Sequence, residues 1–232
     1  MDRIGEQPLQ IGGERRVLLE PESKAVLDQW GIPVVPCEVA TSSEEAVQLA
    51  RSLGYPAVLK IVSPDIIHKT DAGGVRLDLR SDEEVRSAFE QIVGSVSSSS
   101  PSAAILGVSV QRMVSGIEVA LGVTTDIQFG PVLMFGMGGV LVELLEDTAF
   151  RLIPVDDLDA NEMIREIKGS SLLQGFRGLR ADMDSLQHML VKVSDLVVAY
   201  PHIEEMDLNP VFTSPSGSLV ADARLVLAGR ET

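Results

Sequence analysis

The sequence has little cysteine, few aromatic residues and a shortage of basic ones. A single cysteine, Cys37, among 232 residues excludes an internal disulfide and a cysteine-rich zinc site. Lys and Arg total 19 against 34 Asp and Glu, and the formal net charge of −15 argues against binding to nucleic acid or to an anionic membrane surface. No apolar run approaches the roughly 18 residues of a membrane span, and the charged N-terminus, with Asp2 and Arg3, has no signal-peptide pattern. We therefore expect a soluble cytoplasmic protein.

The order of predicted elements favours an α+β fold. A chain of 232 residues can form one large domain or two small ones that share a ligand cleft. A doubly wound parallel sheet would need regular strand–helix alternation throughout, which this pattern lacks. We predict an N-terminal tail or edge element at 1–20, a first subdomain at 21–113 and a second at 114–232. The serine-rich stretch 95–102 is predicted to be an exposed loop, and a strand is predicted at 140–145.

A hairpin near the C-terminus is predicted to bring three oxygen-bearing side chains to one sheet face. The residues at 214–217 favour a type I turn, and pairing outward from them sets 213 across from 218 and Asn209 across from Asp222. Asp207 points to the same face because side chains alternate along a strand. Two carboxylates and an amide oxygen suit a hard cation such as Mg²⁺. The alternative is a solvated strand face with accidental acids.

Lys60 interrupts the apolar strand predicted at 57–62. A buried lysine needs a carboxylate or a phosphate beside its ammonium group, so Lys60 either meets an anion or snorkels to water from an edge strand. The loop that follows contains Gly73 and Gly74, whose backbone N–H groups can approach a phosphate closely. The combination indicates a phosphate-binding loop, although most Gly-Gly pairs are simple turns.

His68 lies in the same loop as the two glycines. Imidazole changes its charge near physiological pH, and histidine is among the side chains that form covalent intermediates. A histidine beside a phosphate-binding loop can therefore be phosphorylated itself. The competing interpretation is a surface histidine with no role, which is the commoner fate of histidines.

The strand end from Gln111 to Val114 is a candidate for binding a purine. Its backbone N–H and C=O groups, including those of Met113, could face the edge of an adenine ring, and Glu118 could accept hydrogen bonds from ribose hydroxyls. Spacing alone does not decide this, because an exposed Glu after a Gly usually only flanks a turn.

Four segments, in this order, carry a resemblance to a known family. They are Lys60 with HKTDAGGV at 68–75, VQRMV at 110–114, FGPVLMFGMGG at 129–139, and MDLNPV at 206–211. From about residue 20 onward the chain resembles the ATP-grasp β subunit of ADP-forming acetyl-CoA synthetases and, more distantly, the β subunit of succinyl-CoA synthetase.

The resemblance implies an ATP-grasp fold, with two α+β subdomains and the nucleotide cleft between them. It also implies a reversible reaction in which acyl-CoA, ADP and phosphate give free acid, CoA and ATP. A CoA-binding α subunit, in an expected α2β2 assembly, would form an acyl phosphate. That subunit would pass the phosphoryl group from its own phosphohistidine through His68 to ADP. The implied cofactor is Mg²⁺.

The resemblance gives each candidate residue a role. Lys60 matches the lysine on the nucleotide phosphates, Gly73 and Gly74 the phosphate loop, Gln111, Met113 and Val114 the adenine-binding hinge, and Glu118 the ribose-binding glutamate. Asp207, Asn209 and Asp222 match the Mg²⁺-ligand region, with Asp207 alternatively orienting the incoming phosphohistidine. Many members carry Glu at the position of Arg112, which leaves the choice between ADP and GDP open.

Two other classes of function would use a similar nucleotide site. A stand-alone ATP-grasp carboxylate–amine ligase would need neither His68 nor a partner subunit. A nonenzymatic adenine-nucleotide sensor would bind nucleotide without becoming phosphorylated. The acyl group is not encoded in this chain, because acyl contacts in the resembled family belong to the other subunit.

Overall fold

The computed structural model describes residues 15–66, 68–139, 147–175 and 180–229. These residues form two compact units. The small unit contains Leu19–Pro21 and Val35–Val114; the large unit contains Glu22–Val34, the described residues from Ser115 onward and those up to Leu18. The subdomain bounds predicted from the sequence stay a prediction. The strand predicted at 140–145 lies outside the described residues.

The described helices and strands follow the chain in this order: β1 (Arg16–Val17), α1 (Glu20–Gln29), β2 (Cys37–Ala40), α2 (Ser43–Leu53), β3 (Ala57–Val62), β4 (Val75–Leu79), α3 (Asp82–Ser99), β5 (Gly107–Arg112), β6 (Ile117–Asp126), β7 (Gly130–Met137), β8 (Thr148–Leu152), α4 (Asp157–Glu166), α5 (Ser170–Leu173), α6 (Met183–Ala199), β9 (Ile203–Ser214), β10 (Gly217–Val220) and β11 (Arg224–Leu227).

The small unit is built on a four-stranded antiparallel sheet in the order β2-β5-β3-β4. Strand β3, which carries Lys60, is buried along its whole length. Strands β5 and β4 flank it, and α2 and α3 contact the same sheet. The interpretation of β3 as an edge strand with a snorkelling lysine is therefore wrong.

Helix α3 runs farther than the sequence predicts. The stretch 95–102 was expected to be a loop, whereas α3 includes Ser95–Ser99 and ends with the Ser100 N–H donating to the Val96 carbonyl. Serine is only a moderate helix former. Val96 is fully buried and continues the apolar stripe of Val85 and Ile92, so packing of this stripe keeps the last turns helical.

The large unit is built on a seven-stranded antiparallel sheet. Six strands follow the order β1-β11-β9-β6-β7-β8, and β10 pairs with β9. Helix α4 contacts α6, β7 and β8, and α6 contacts β10. The apolar stripe of α6, which includes Leu186, Met189, Leu190 and Val193, is buried, as the helical spacing predicts.

Each unit combines an antiparallel sheet with helices, which confirms the α+β prediction. Among the helices of the described residues, none has both the length and the apolar character required to cross a membrane.

Candidate functional site

Lys60 has a carboxylate beside its ammonium group. Its Nζ donates to Glu20 Oε1 at 2.7 Å, and only 8% of the Lys60 side chain and 3% of the Glu20 side chain are exposed. Glu20 is the first residue of α1 and lies 40 positions earlier in the chain. The sequence predicts that a buried Lys60 needs an anion, but it does not identify Glu20, which fell in the predicted tail.

A second lysine binds the same carboxylate. Lys69 Nζ donates to Glu20 Oε2 at 2.7 Å, and 21% of the Lys69 side chain is exposed. One buried carboxylate thus bridges two ammonium groups, each on its own oxygen. We call Glu20, Lys60 and Lys69 the lysine cluster.

The two glycines after His68 close a short helical turn. The Gly74 N–H donates to the Lys69 carbonyl at 2.7 Å and the Gly73 N–H to the Thr70 carbonyl at 3.0 Å. This is the Schellman pattern, which requires the positive φ of 69° at Gly73. A Cβ at Gly74 would lie 2.5 Å from Ile61 Cγ2. The turn itself therefore requires both glycines and uses their N–H groups, and the phosphate contact of Gly73 and Gly74 stays a prediction.

His68 begins this turn, and its carbonyl accepts a hydrogen bond from the Ala72 N–H at 3.2 Å. Its side chain is exposed. The turn is fixed on one side by the Lys69 side chain and on the other by the Ile61 N–H, which donates to the Gly74 carbonyl at 2.7 Å. The arrangement presents an accessible imidazole on a backbone that is held in place.

The end of β5 supplies the predicted adenine-binding residues. Gln111 is buried, with 3% of its surface exposed, and Met113 and Val114 are half-buried. The Met113 N–H donates to the Pro56 carbonyl at 2.7 Å, so this donor is used within the small unit. The adenine contact of these residues stays a prediction.

In the large unit, Glu118 is exposed near the start of β6 and lies under a glycine-rich segment. The Gly138 N–H donates to the Glu118 carbonyl at 2.8 Å. A Cβ at Gly138 would lie 2.8 Å from the Val119 nitrogen, and a Cβ at Gly139 would collide with the Glu118 carboxylate. The glycines are therefore required by the close approach of this segment to β6. The ribose contact of Glu118 stays a prediction.

The C-terminal hairpin has the predicted register next to its turn, but the predicted strand pair of Asn209 with Asp222 is not formed. Thr213 pairs with Ser218. Strand pairing stops before Asp222, which lies in the connection between β10 and β11 rather than in a strand. The Ala221 N–H donates to the Pro210 carbonyl at 3.0 Å, so this connection stays beside β9.

Asp207 and Asn209 share the exposed side of β9. Both are exposed and alternate with Met206 and Leu208, which are buried. Arg224 of β11 pairs with Asp207 across the sheet. We call Asp207, Asn209 and Asp222 the acidic hairpin.

A β-bulge lies within the acidic hairpin. Strand β9 carries one extra residue relative to β6 between Leu208 and Val211, so Asn209 and Pro210 together stand opposite Ala120. Bulges redirect side chains and are common beside functional sites. The alternating pattern of polar and apolar residues in β9 does not predict this bulge.

Electrostatics link the two carboxylates. Partial withdrawal from water and the like charge of Asp222 raise the pKa of Asp207, and Arg224 acts in the opposite direction. Asp207 remains exposed, so solvent screens the effect. A bound cation would favour the ionised form and reverse this shift.

The donor set of the acidic hairpin fits a hard divalent cation. Two carboxylates and one amide offer only oxygen, as Mg²⁺ prefers. In the part of the chain that the structure describes, no three His, Cys, Asp or Glu side chains are grouped to hold a metal ion. A cation at this hairpin would therefore complete its coordination with water and phosphate oxygens.

Arg224 is a further charged residue that the sequence analysis did not select. Its Nε is buried without a hydrogen-bond partner among the described residues, and its Nη1 lies 3.6 Å from Glu205 Oε2. Its position two residues after Asp222 was the available signal.

Comparison with known proteins identifies close relatives. A family model described as an ATP-grasp domain matches residues 10–227. Subunit beta of acetate–CoA ligase (ADP-forming) I from Pyrococcus furiosus is 46% identical over 216 residues, which cover 92% of this chain and 93% of that protein.

Solved structures agree with the sequence comparison. Acetyl-coenzyme A synthetase 1 of Ca. Korarchaeum cryptofilum, in complex with coenzyme A, Ca-AMPCP and HgCl+, superposes with a TM-score of 0.88 at 46% identity, covering 91% of this chain and 93% of that one. A complex of the same enzyme with coenzyme A and Mg-AMPPCP has a TM-score of 0.79 at 43% identity and covers 91% and 92% of the two chains. Its phosphohistidine segment points towards the nucleotide binding site.

Proposed function

We propose a function from the premise that the chain belongs to the ATP-grasp β subunits of the ADP-forming acetate–CoA ligases. In this proposal the chain is the nucleotide-binding subunit of an ADP-forming acyl-CoA synthetase. The complete enzyme converts acyl-CoA, ADP and phosphate to free acid, CoA and ATP, reversibly. The ATP-grasp fold expected from the sequence is confirmed by the family match and the structural superposition.

The observation that carries this proposal is the exposed imidazole of His68 on a turn anchored beside two lysines. His68 receives a phosphoryl group from a phosphohistidine of the partner subunit and passes it to ADP. In the second step the bond between phosphorus and the imidazole nitrogen breaks as the terminal phosphate oxygen of ADP forms the new P–O bond. Such transfers depend on positioning and charge neutralisation.

The small unit supplies most of the nucleotide contacts in this proposal. Lys60 neutralises phosphate charge, and Gln111, Met113 and Val114 bind adenine. Gly73 and Gly74 shape the phosphate loop. From the large unit, Glu118 binds the ribose hydroxyls.

The acidic hairpin holds the metal ion in this proposal. Asp207, Asn209 and Asp222 provide oxygen ligands for Mg²⁺, and the cation, when bound, neutralises phosphate charge. Partial burial, and after it the like charge of Asp222, raise the pKa of Asp207. This supports the assignment, because a bound cation would offset both effects. A magnesium complex in the related structure agrees with the choice of metal.

The partner is a separate CoA-binding α subunit in an α2β2 complex, located in the cytoplasm. Relatives described as a beta subunit support a second chain. The chain's −15 charge gives no basis for a nucleic-acid partner.

The test is reconstitution. The chain carries an affinity tag and is purified together with an untagged CoA-binding α subunit. ATP formation from acetyl-CoA, ADP and phosphate is then measured for each chain alone and for the complex. We expect activity only from the complex, with radiolabelled phosphate on His68. ADP release by the chain alone with an acid and an amine would instead indicate a carboxylate–amine ligase, and nucleotide binding without any labelling would indicate a sensor.

A further inference from the structure

Glu20 occupies a position that a stability argument alone does not explain. Its carboxylate is almost completely buried and bridges Lys60 and Lys69 at 2.7 Å on separate oxygens. Burying three charged groups costs desolvation energy that ion pairing repays only with good geometry, and apolar residues of similar volume often serve stability equally well. The charges of this cluster therefore call for a reason beyond folding.

The cluster joins three distant segments of the chain. Glu20 opens α1, Lys60 lies on the central strand β3, and Lys69 stands in the turn that begins at His68. The sequence separations are 40 and 49 residues. Glu20 belongs to the same compact unit as both lysines, so the bridge fixes one lysine relative to the other within one body.

We propose that Glu20 is the positioning residue of the phosphate site, holding the ammonium groups of Lys60 and Lys69 and thereby the turn that carries His68. The proposal rests on the function above, in which these groups meet the nucleotide phosphates and the transferred phosphoryl group. Glu20 touches neither substrate nor the reacting atoms; it acts through the two lysines.

The chemistry of the ammonium group permits both tasks. An ammonium has three N–H donors, so a bond to Glu20 is compatible with a bond to a phosphate oxygen. Two lysines brought together without an anion would repel each other, and flexible lysine stems would spread apart. One bridging carboxylate holds both ammonium groups, each on its own oxygen.

The shape of the bridge predicts how substitutions behave. Gln keeps the size of Glu20 but loses the charge, and its amide nitrogen cannot accept a hydrogen bond from an ammonium group. Asp keeps the charge but is shorter by one methylene and cannot span both lysines. We therefore expect Glu20→Asp to be more active than Glu20→Gln but less active than wild type.

The experiment uses the reconstituted α–β complex and three measurements. These are ADP binding by calorimetry, the rate of ³²P transfer from ATP to His68, and the acylation of Lys60 and Lys69 by an amine-reactive reagent, read by mass spectrometry. For Glu20→Gln we expect a slowing of His68 labelling by about a hundredfold, as a misplacement near 1 Å can cause. ADP binding should weaken by about tenfold, and both lysines should become more reactive.

Glu22→Gln is the matched control, because Glu22 lies on the same helix and its side chain, 39% exposed, pairs with Arg16. It should match wild type in all three measurements. A Glu20→Gln variant that also matches wild type would overturn the proposal. If the wild-type complex itself fails to label His68, the relay is wrong, and lysine acylation and ADP binding still decide the role of Glu20.

A double-mutant cycle separates positioning from general structural support. In a Lys60→Met/Lys69→Met background, adding Glu20→Gln should change ADP binding less than about twofold, because the groups through which Glu20 acts are gone. An undiminished tenfold effect there would contradict the proposal. If Glu20→Gln alone does not fold, Glu20→Gln/Lys69→Met leaves only one buried ammonium; unchanged acylation of Lys60 in that variant would also count against it.

Discussion

The lysine cluster and the acidic hairpin balance their charges in different ways. In the lysine cluster, the Glu20 carboxylate accepts a hydrogen bond from each of two ammonium groups at 2.7 Å. In the acidic hairpin, partial burial and the like charge of Asp222 raise the pKa of Asp207, and Arg224 acts against them. The lysine cluster thus contains its own counter-ion, Glu20, whereas the acidic hairpin places the like charges of Asp207 and Asp222 near each other.

This difference assigns separate tasks to the two regions. A cationic cluster with its own carboxylate is organised before any ligand arrives, which reduces the cost of ordering lysine side chains on binding. The Asp207 carboxyl, whose ionisation is disfavoured by partial burial and by the charge of Asp222, gains most from an external cation. In a protein of net charge −15, the proposed function uses the lysines of the first region and a cation held by the second as local positive charges.

The largest effect that tests this comparison is expected at His68. His68→Ala removes the only proposed acceptor on the chain, so ATP synthesis by the α–β complex should fall to background while calorimetry still detects ADP binding. His188→Ala, at an exposed position on α6, is the control and should keep wild-type activity. Wild-type ATP synthesis by the His68→Ala complex would mean that the phosphoryl group passes directly to ADP.

Asp222→Asn tests the acidic hairpin. Loss of one charged oxygen ligand should weaken Mg²⁺ binding by about 10- to 100-fold, and activity should be partly restored by raising the Mg²⁺ concentration. A magnesium titration of ATP synthesis measures this. Asp195→Asn, on the exposed side of α6, should leave the titration unchanged. An Asp222→Asn titration curve that coincides with the wild-type curve would exclude Asp222 as a ligand.

Lys60→Met tests the other region with a smaller expected effect. Methionine keeps an unbranched apolar stem but removes a charge-assisted hydrogen bond to phosphate, which is worth about 1.5–3 kcal/mol. ADP binding measured by calorimetry should therefore weaken by at least about tenfold. Lys192→Met on α6 provides the comparison. Unchanged ADP affinity in Lys60→Met would confine Lys60 to its ion pair with Glu20.

Local patterns predicted much of the acidic hairpin from the sequence. The turn at 214–217 sets the register, and the pairing of Thr213 with Ser218 follows from it. The bulge at Asn209 and Pro210 did not follow, because it depends on how β9 pairs with β6, about 90 residues earlier. Local sequence rules therefore predict the pairing of β9 with β10, its neighbour in the chain, but not the details of its pairing with the distant β6.

In the lysine cluster, the local sequence predicts that a partner exists but does not identify it. Burial of Lys60 within an apolar strand implied an anion, but the identity of that anion depends on a residue 40 positions away. The sequence around Glu20 does not mark it as the partner of Lys60, because the helix dipole already favours an acidic residue in the first turn of any helix. The serine-rich end of α3 is helical, not the predicted loop, for a related reason: burial of Val96 outweighs weak local helix propensity.

The smallest predicted effect is on stability, at Asp207. Its folded-state pKa lies above the ordinary value near 3.9, so the folded protein binds this proton more tightly than the unfolded chain. The stabilisation is present below the ordinary pKa and is lost as pH rises through the folded-state pKa. At neutral pH without metal, Asp207→Asn should therefore be slightly more stable than wild type, by less than about 1 kcal/mol because solvent screens an exposed group.

Magnesium should reverse this order. Binding of Mg²⁺ to the folded wild-type protein stabilises it by RT ln(1 + [Mg²⁺]/Kd). Asp207→Asn has lost a charged ligand, so its Kd is higher and it gains less. Thermal unfolding at neutral pH, with EDTA and then with excess Mg²⁺, measures the order of stability under each condition. Asp195→Asn should not change its order relative to wild type between the two conditions. A wild-type protein that is the more stable of the two in EDTA would mean that Arg224 outweighs the combined effect of burial and Asp222 at Asp207. The charge of Asp207 would then be compensated within the acidic hairpin itself.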